Sequence, residues 1–398
     1  MNILFHSTAP WSPSSYSVLT KRVVPDIVKA GHKVTVSTWY GLQGHPMPWN
    51  IVSTPKNGDA PEVIDTVTVL PYVNGGSYGV DTMIASYRHF KCNVLITNSD
   101  VWVYPPEETS KATFCPWFPV DYDPLPDPVL KSLQTAIVPM VYSEFGRQVC
   151  EDAGVKARTV HCGADSKVYK PLKKEELSKK FSIPEDCDFL ITMVAANKDP
   201  NDRKGFGEAI PAFAKFLETH PNAYLYLHTN WDGPISIPAM IDSLKIKGNV
   251  LRPDGYGYAM GLLDEQYMVE TYNLTDVLLN PCKSEGFGLP IIEAQMCGTP
   301  VIVTDFATTE ELFFAGWKLS GQLDWASGLN SWRRRVRIDD IVGALEDAYN
   351  NKDNRKIAKK ARKCAGSFDT EVVFKKHWIP ALKEIEELVT EDGSISVY

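Results

Sequence analysis

The chain has eight cysteines in 398 residues, and none stand as a Cys-x-x-Cys pair. Scattered thiols of this kind argue against a zinc site and against a disulfide framework. They suit a reducing, cytoplasmic compartment. No apolar run reaches the length of a membrane span, so any membrane association would be peripheral. The opening Met1-Asn2-Ile3-Leu4-Phe5-His6 lacks the basic start and long apolar core of a secretory signal and reads as a first strand. A net charge of −8 exerts no global pull toward nucleic acid or anionic lipid. Short-period repeats are absent, which excludes a solenoid. No Asp-x-Asp motif is placed to hold a metal.

What is present is a two-part alternation of strands and helices. A chain of this length predicts two domains of ordinary size. In the first half, Ile3 to His6, Lys33 to Thr38, Val67 to Leu70, Val94 to Thr97 and Ala136 to Tyr142 read as strands. Helical stretches run from Ser17 to Ala30 and near Asp81 to Phe90. The proline-rich segment Pro116 to Pro128 reads as a structured loop. A second series starts at Phe189 to Val194 and continues through Ala223 to Thr229, Val250-Leu251, Val277 to Asn280 and Val301 to Thr304. Alternation of this kind predicts an α/β protein made of two doubly wound parallel-sheet, Rossmann-like domains. Residues 1–170 form the first and 171–369 the second. An amphipathic helix over about 370–390 follows, and the terminal Glu391 to Tyr398 is expected to fray. The basic run Arg333-Arg334-Arg335-Val336-Arg337 reads as a solvated loop before a helix starting near Ile338. The alternative is a contact to an anionic acceptor.

In open parallel sheets, ligands sit beyond the carboxyl ends of the strands, so the loops there carry the functional candidates. The most informative is Glu285-Gly286-Phe287-Gly288-Leu289-Pro290-Ile291-Ile292-Glu293. Pro290 suits the first turn of a helix, and Gly298 with Pro300 suits its end. A glycine loop ahead of a helix N-terminus favours an anion. Gly286 and Gly288 let a ligand approach the backbone, and the two carboxylates suit neutral hydroxyls. Taken alone, a Gly-x-Gly before a helix is more often an ordinary surface turn. The loop Ala195 to Gly205 ends in Arg203-Lys204, which can neutralise a diphosphate or simply form an exposed basic turn.

The whole run from Glu285 to Asp305 resembles the donor-site signature of the retaining GT-B glycosyltransferases of family 4, two glutamates with seven residues between them and a Gly-Phe-Gly-Leu-Pro loop after the first. Tyr142 to Arg147 and Val160 to Asp165 are similar to further landmarks of that family. The resemblance implies two domains facing across a cleft, with the C-terminal helix crossing back to the first. It implies transfer of a sugar from a UDP- or GDP-linked donor, with retention and without a metal or other cofactor. Arg203, Lys204 and the amides of Gly286, Phe287, Gly288 and Leu289 would steady the departing diphosphate. Glu293 would hold the ribose and Glu285 the donor sugar. Asn230 and Arg252 would lie near the base. The leaving phosphate itself would take the acceptor proton.

Four positions depart from the family pattern. Ser14-Ser15 stands where relatives carry a Gly-Gly pair. Ala196-Asn197 stands where many carry an arginine, and Cys162 replaces Asn or His. The stretch Trp117-Phe118-Pro119-Val120-Asp121 makes Asp121 the candidate polar group near the reacting sugar, or a structural residue of a proline-rich turn, and the histidine common nearby is missing. The acceptor is left open among a glycan, a lipid-linked sugar, a protein, a small molecule and modified DNA. A nucleotide-sugar epimerase and a non-catalytic sugar-nucleotide-binding module are the competing readings.

Overall fold

A computed structural model describes residues 1–53, 60–73 and 78–389. The expectations for Thr390 and for Glu391 to Tyr398 therefore fall outside the described residues. The chain forms two compact units. One comprises Met1–Val120, Pro124–Gly163 and Thr370–Tyr398; the other comprises Asp121–Asp123 and Ala164–Asp369.

In the first unit the strands are β1 (Asn2–Ser7), β2 (Lys33–Thr38), β3 (Met47–Val52), β4 (Val63–Leu70), β5 (Val94–Asn98), β6 (Phe114–Phe118), β7 (Met140–Val141) and β8 (Arg158–Thr159). They lie in the order β3-β4-β2-β1-β5-β6-β7-β8. Only the β3–β4 pairing within this order is antiparallel. Central strands such as Val94–Asn98 are buried along their whole length, because helices on both faces cover a parallel sheet. The strand order reverses between β1 and β5, and the loops leaving their carboxyl ends are splayed to opposite sides there.

Two expectations for this unit change. Pro116 lies inside β6, paired in register with Thr97, although a proline argues against a central strand. The stretch expected as a strand from Ala136 to Tyr142 is one only at Met140–Val141. The C-terminal segment packs in this unit, where the Trp378 ring meets Trp117 edge-on at 4.7 Å and Arg158 pairs with Glu384. It is not one uniform helix: Phe374–Trp378 forms a π-turn before Ile379–Leu388, as proline at position 380 would cost an α-helical hydrogen bond.

In the second unit the strands are β9 (Phe189–Val194), β10 (Ala223–His228), β11 (Val250–Leu251), β12 (Val277–Asn280), β13 (Val301–Thr304) and β14 (Gly316–Leu319). They form a parallel sheet in the order β11-β10-β9-β12-β13-β14. Its core gathers Phe189, Ile191, Phe206, Phe213, Phe216, Leu225 and Leu279 between the sheet and the helices Phe206–Leu217 and Ile338–Asn350. Two further strands, β15 (Gln322–Ala326) and β16 (Ser331–Arg335), form an antiparallel hairpin. Arg333 to Arg335 therefore lie in a strand and not in a loop, whereas Val336-Arg337 lead into the helix Ile338–Asn350 as expected. Arg333 donates to Asp324 at 2.6 Å, Arg334 to the Asp305 carbonyl at 3.0 Å and Arg335 to Glu208 at 2.7 Å. Arg337 forks onto Asp340. Three of these cations, Arg333, Arg335 and Arg337, are thus paired with carboxylates of the chain itself.

Candidate donor site in the second unit

In the second sheet the order reverses between β9 and β12, which are hydrogen-bonded neighbours. The loops leaving their carboxyl ends are thus brought side by side. One carries Arg203 and Lys204; the other carries Lys283, Ser284 and Glu285.

The first loop is fixed by Asp202. Its carboxylate accepts the amides of Phe206 at 2.9 Å and Gly207 at 2.7 Å, capping the helix Phe206–Leu217. Gly205 adopts φ +78°, and a β-carbon there would lie 2.6 Å from the Pro281 carbonyl oxygen. Only glycine allows the two loops to approach this closely. Arg203 and Lys204 are carried on that turn.

The second loop is tied to the first through Lys283. Its amide donates to the Arg203 carbonyl at 2.8 Å, and its own carbonyl accepts the Arg334 amide at 2.8 Å. The Lys283 ammonium is 2% exposed and lies 3.4 Å from Glu208 and 4.0 Å from Asp202. Glu208 is itself buried and also binds Arg335. None of Asp202, Glu208 or Lys283 was singled out from sequence. An acidic residue immediately before Arg203-Lys204-Gly205 was the available signal, as a helix-capping pattern.

Four of the expected site residues converge here. Lys204 Nζ lies 2.6 Å from Glu285 Oε2. Arg203 Nη1 donates to the Ser284 carbonyl at 2.7 Å and lies 3.3 Å from Asp121 Oδ2. Asp121 was expected beside the reacting sugar from the first domain; its contacts place it with the second unit. Asp121-Tyr122-Asp123 does have Asp-x-Asp spacing, but Asp121 faces a guanidinium and the Asp123 carbonyl accepts the Trp332 amide at 2.6 Å. Among the described residues no group of three or more His, Cys, Asp or Glu is arranged to hold a metal. Tyr122, also unforeseen, is buried beside this cluster, and burial together with Asp121 pushes its phenol up to about 12.

The electrostatics are self-balanced. Burial would raise the Glu285 carboxyl, but Lys204 and Arg203 outweigh it and hold the group below its ordinary 4.5. A carboxyl depressed by folding contributes stability that is present above its unfolded value and lost as pH falls through its folded one. The stability gap between wild type and Glu285→Gln should therefore be constant above about pH 4.5 and change only in more acid solution, wild type losing ground. Melting temperatures of both proteins from pH 3 to 8 test this; a gap that changes between pH 6 and 8 would contradict it.

Beyond Glu285 the backbone turns through Gly288, at φ +100°, into the helix Leu289–Met296 with Pro290 in its first turn. A side chain at Gly288 would collide with Ile291. Phe287 and Leu289 point into the fold and are buried, so what this turn offers a ligand is backbone, with Gly286 held by Thr308 Oγ1 on its carbonyl at 3.2 Å. Glu293 is buried and accepts the Tyr272 hydroxyl at 2.9 Å.

The remaining candidates have local roles. Asn197 is 3% exposed, and its side chain is spent on the carbonyls of Asn230 and Ile235 and the amide of Ile235, pinning the loop after β10. That side chain is a brace and is not free for a first phosphate contact. Asn230 is exposed and caps the Asp232 amide. Arg252 stacks on Trp231 at 5.2 Å. In the first unit, Ser14 caps the helix Ser15–Lys29 by accepting the Ser17 amide at 3.1 Å, while Ser15 is exposed.

Two parallel-sheet units of this build, with a C-terminal segment returned to the first, make the fold that of the GT-B glycosyltransferases. Sucrose-phosphate synthase from Thermosynechococcus elongatus superposes with a TM-score of 0.69 at 14% identity, over 97% of this chain and 98% of that one. HepE from Anabaena, solved in complex with UDP-glucose, superposes at 0.67 and 14% identity over 98% of this chain and 100% of that one. Residues 173–363, which include every member of the Arg203–Lys204–Glu285 cluster and its helix, match the family glycosyl transferases group 1. In sequence the chain is similar to D-inositol 3-phosphate glycosyltransferase from Acidothermus cellulolyticus, 26% identical over 156 residues, or 37% of this chain and 32% of that protein. The matches span about a third of the length of the curated relatives. No helix among the described residues is long and apolar enough to cross a membrane.

Proposed function

We propose that the chain transfers a hexose from a nucleotide-diphosphate donor to an acceptor, with retention at the anomeric carbon and without a metal. The observation that carries this reading is the pairing of Arg203 and Lys204 with Asp121 and Glu285 at the reversal point of the second sheet, directly before the turn at Gly288. Two cations held in place by carboxylates are a preorganised seat for a diphosphate. On binding, the phosphate oxygens take over the ammonium and guanidinium, and the Gly286 to Leu289 turn presents amides at a helix N-terminus. The two carboxylates, released from their cations, turn to sugar hydroxyls. Negative charge building on the leaving diphosphate is met by donors already in position, a term worth about 3–4 kcal/mol for one key donor. Glu293 then serves the ribose. The leaving phosphate accepts the proton of the incoming hydroxyl on the same face.

The complex of HepE with UDP-glucose supports a UDP-linked donor. A thermal-shift panel of UDP-, GDP- and ADP-sugars is the direct test. A donor present at 100 times its Kd stabilises by about 2.7 kcal/mol, and the UDP series is expected to give the largest shift, unaffected by EDTA. No shift with any nucleotide sugar, or a shift that requires magnesium, would overturn the donor reading or its metal independence respectively. NMR of the product anomer tests retention.

A further inference from the structure

The first unit carries a second feature that the donor chemistry does not use. At the carboxyl edge of its sheet, four loops each present large aromatic rings. Trp11 follows β1, Trp39 and Tyr40 follow β2, Tyr78 follows β4 and Trp102 follows β5. Trp11 is 48% exposed, Tyr40 45%, Tyr78 38% and Trp102 51%. Four of the rings are connected: Trp39 lies 6.4 Å from Tyr40 and 5.3 Å from Tyr78, and Tyr78 lies 6.3 Å from Trp102. Trp11 is fixed by its indole N–H donating to the Gly41 carbonyl at 3.0 Å. This edge flanks the strand reversal between β1 and β5, where an open parallel sheet binds its ligand.

Charge decides the kind of ligand. The described rim segments Thr8–Ser17, Trp39–Met47, Tyr78–Thr82 and Ser99–Tyr104 contain no lysine or arginine, and their acidic residues are Asp81 and Asp100. An anionic lipid surface or a nucleic-acid backbone would call for cations at this edge. Exposed aromatic faces among carboxylate and hydroxyl groups instead match a neutral sugar, whose C–H face is apolar and whose rim is hydroxyl. We propose that this aromatic rim stacks a neutral saccharide, which makes the acceptor of the proposed transfer an uncharged glycan. The identification as acceptor rests on the proposed function; the stacking site itself does not.

The test is tryptophan fluorescence of the full chain titrated with neutral di- and trisaccharides built from glucose, galactose, mannose and N-acetylglucosamine, with phosphatidylcholine–phosphatidylserine vesicles as a parallel arm. A saturable response to at least one saccharide is expected, weakened roughly tenfold in Trp102→Ala and again in Tyr40→Ala by loss of the covered apolar area. Both side chains are about half exposed, so both variants should fold, which circular dichroism checks. No saturable saccharide response, an affinity unchanged in both variants, or binding to the vesicles instead would overturn the proposal. The UDP-glucose thermal shift is read on the same protein. Saccharide binding without a donor shift sinks the proposed function and leaves the rim standing, whereas a donor shift without saccharide binding sinks the rim alone.

Discussion

Arg203→Ala should lower kcat by about 10²–10³ with little loss of secondary structure, since it removes one preorganised donor from the departing diphosphate. The guanidinium is held on two sides, by the Ser284 carbonyl and by Asp121, so it needs no reorganisation when charge develops. Burial works against its charge, but the carboxylates of Asp121 and Glu285 beside it help to keep it protonated. Arg203→Lys keeps the charge but cannot span both partners at once, and should recover only part of the rate. Steady-state kinetics with the donor identified by thermal shift would settle the matter. A kcat within threefold of wild type in Arg203→Ala would remove this residue from the mechanism.

Lys283→Ala should be the most destabilising single change near the site, by about 3 kcal/mol, or roughly 6–12 °C in melting temperature for a unit of this size. The ammonium is almost completely buried between Glu208 and Asp202, and its removal takes the buried cation from both carboxylates, leaving Glu208 with the exposed Arg335 and Asp202 with the amides of Phe206 and Gly207. Breaking a buried pair from one side costs more than the pair itself contributes. Because Asp202 caps the turn that carries Arg203 and Lys204, donor affinity should fall with stability. Differential scanning calorimetry measures the first effect and donor titration the second. A melting temperature unchanged within a degree would show that the cluster is not holding the two loops together.

The two substitutions act at different levels. Arg203 is placed to touch the ligand, whereas Lys283 makes the loops keep their distance. Of these, only Arg203 was recognisable in advance, because a basic pair before a helix glycine is a local pattern. A lysine in Pro281-Cys282-Lys283-Ser284 carries no sign that it is buried. The arginine run at 333–337 shows the opposite error: it reads as a charge-dense loop, yet Arg333 to Arg335 lie in a strand, where Asp324, Glu208 and the Asp305 carbonyl supply partners from elsewhere.

The strands β9 to β13 of the second unit, the helix start at Pro290 and the turn at Gly288 were set by the sequence alone, since apolar periodicity and the φ preferences of glycine and proline act over a few residues. Which side chains meet was decided only in three dimensions. Lys204 and Glu285 are 81 residues apart and touch because β9 and β12 are neighbours in the sheet. Asp121 meets Arg203 because the chain crosses into the second unit for three residues. The aromatic rim likewise arises where four separated loops share one sheet edge. Strand order is fixed by how the whole core packs, and that is a property no window of sequence contains.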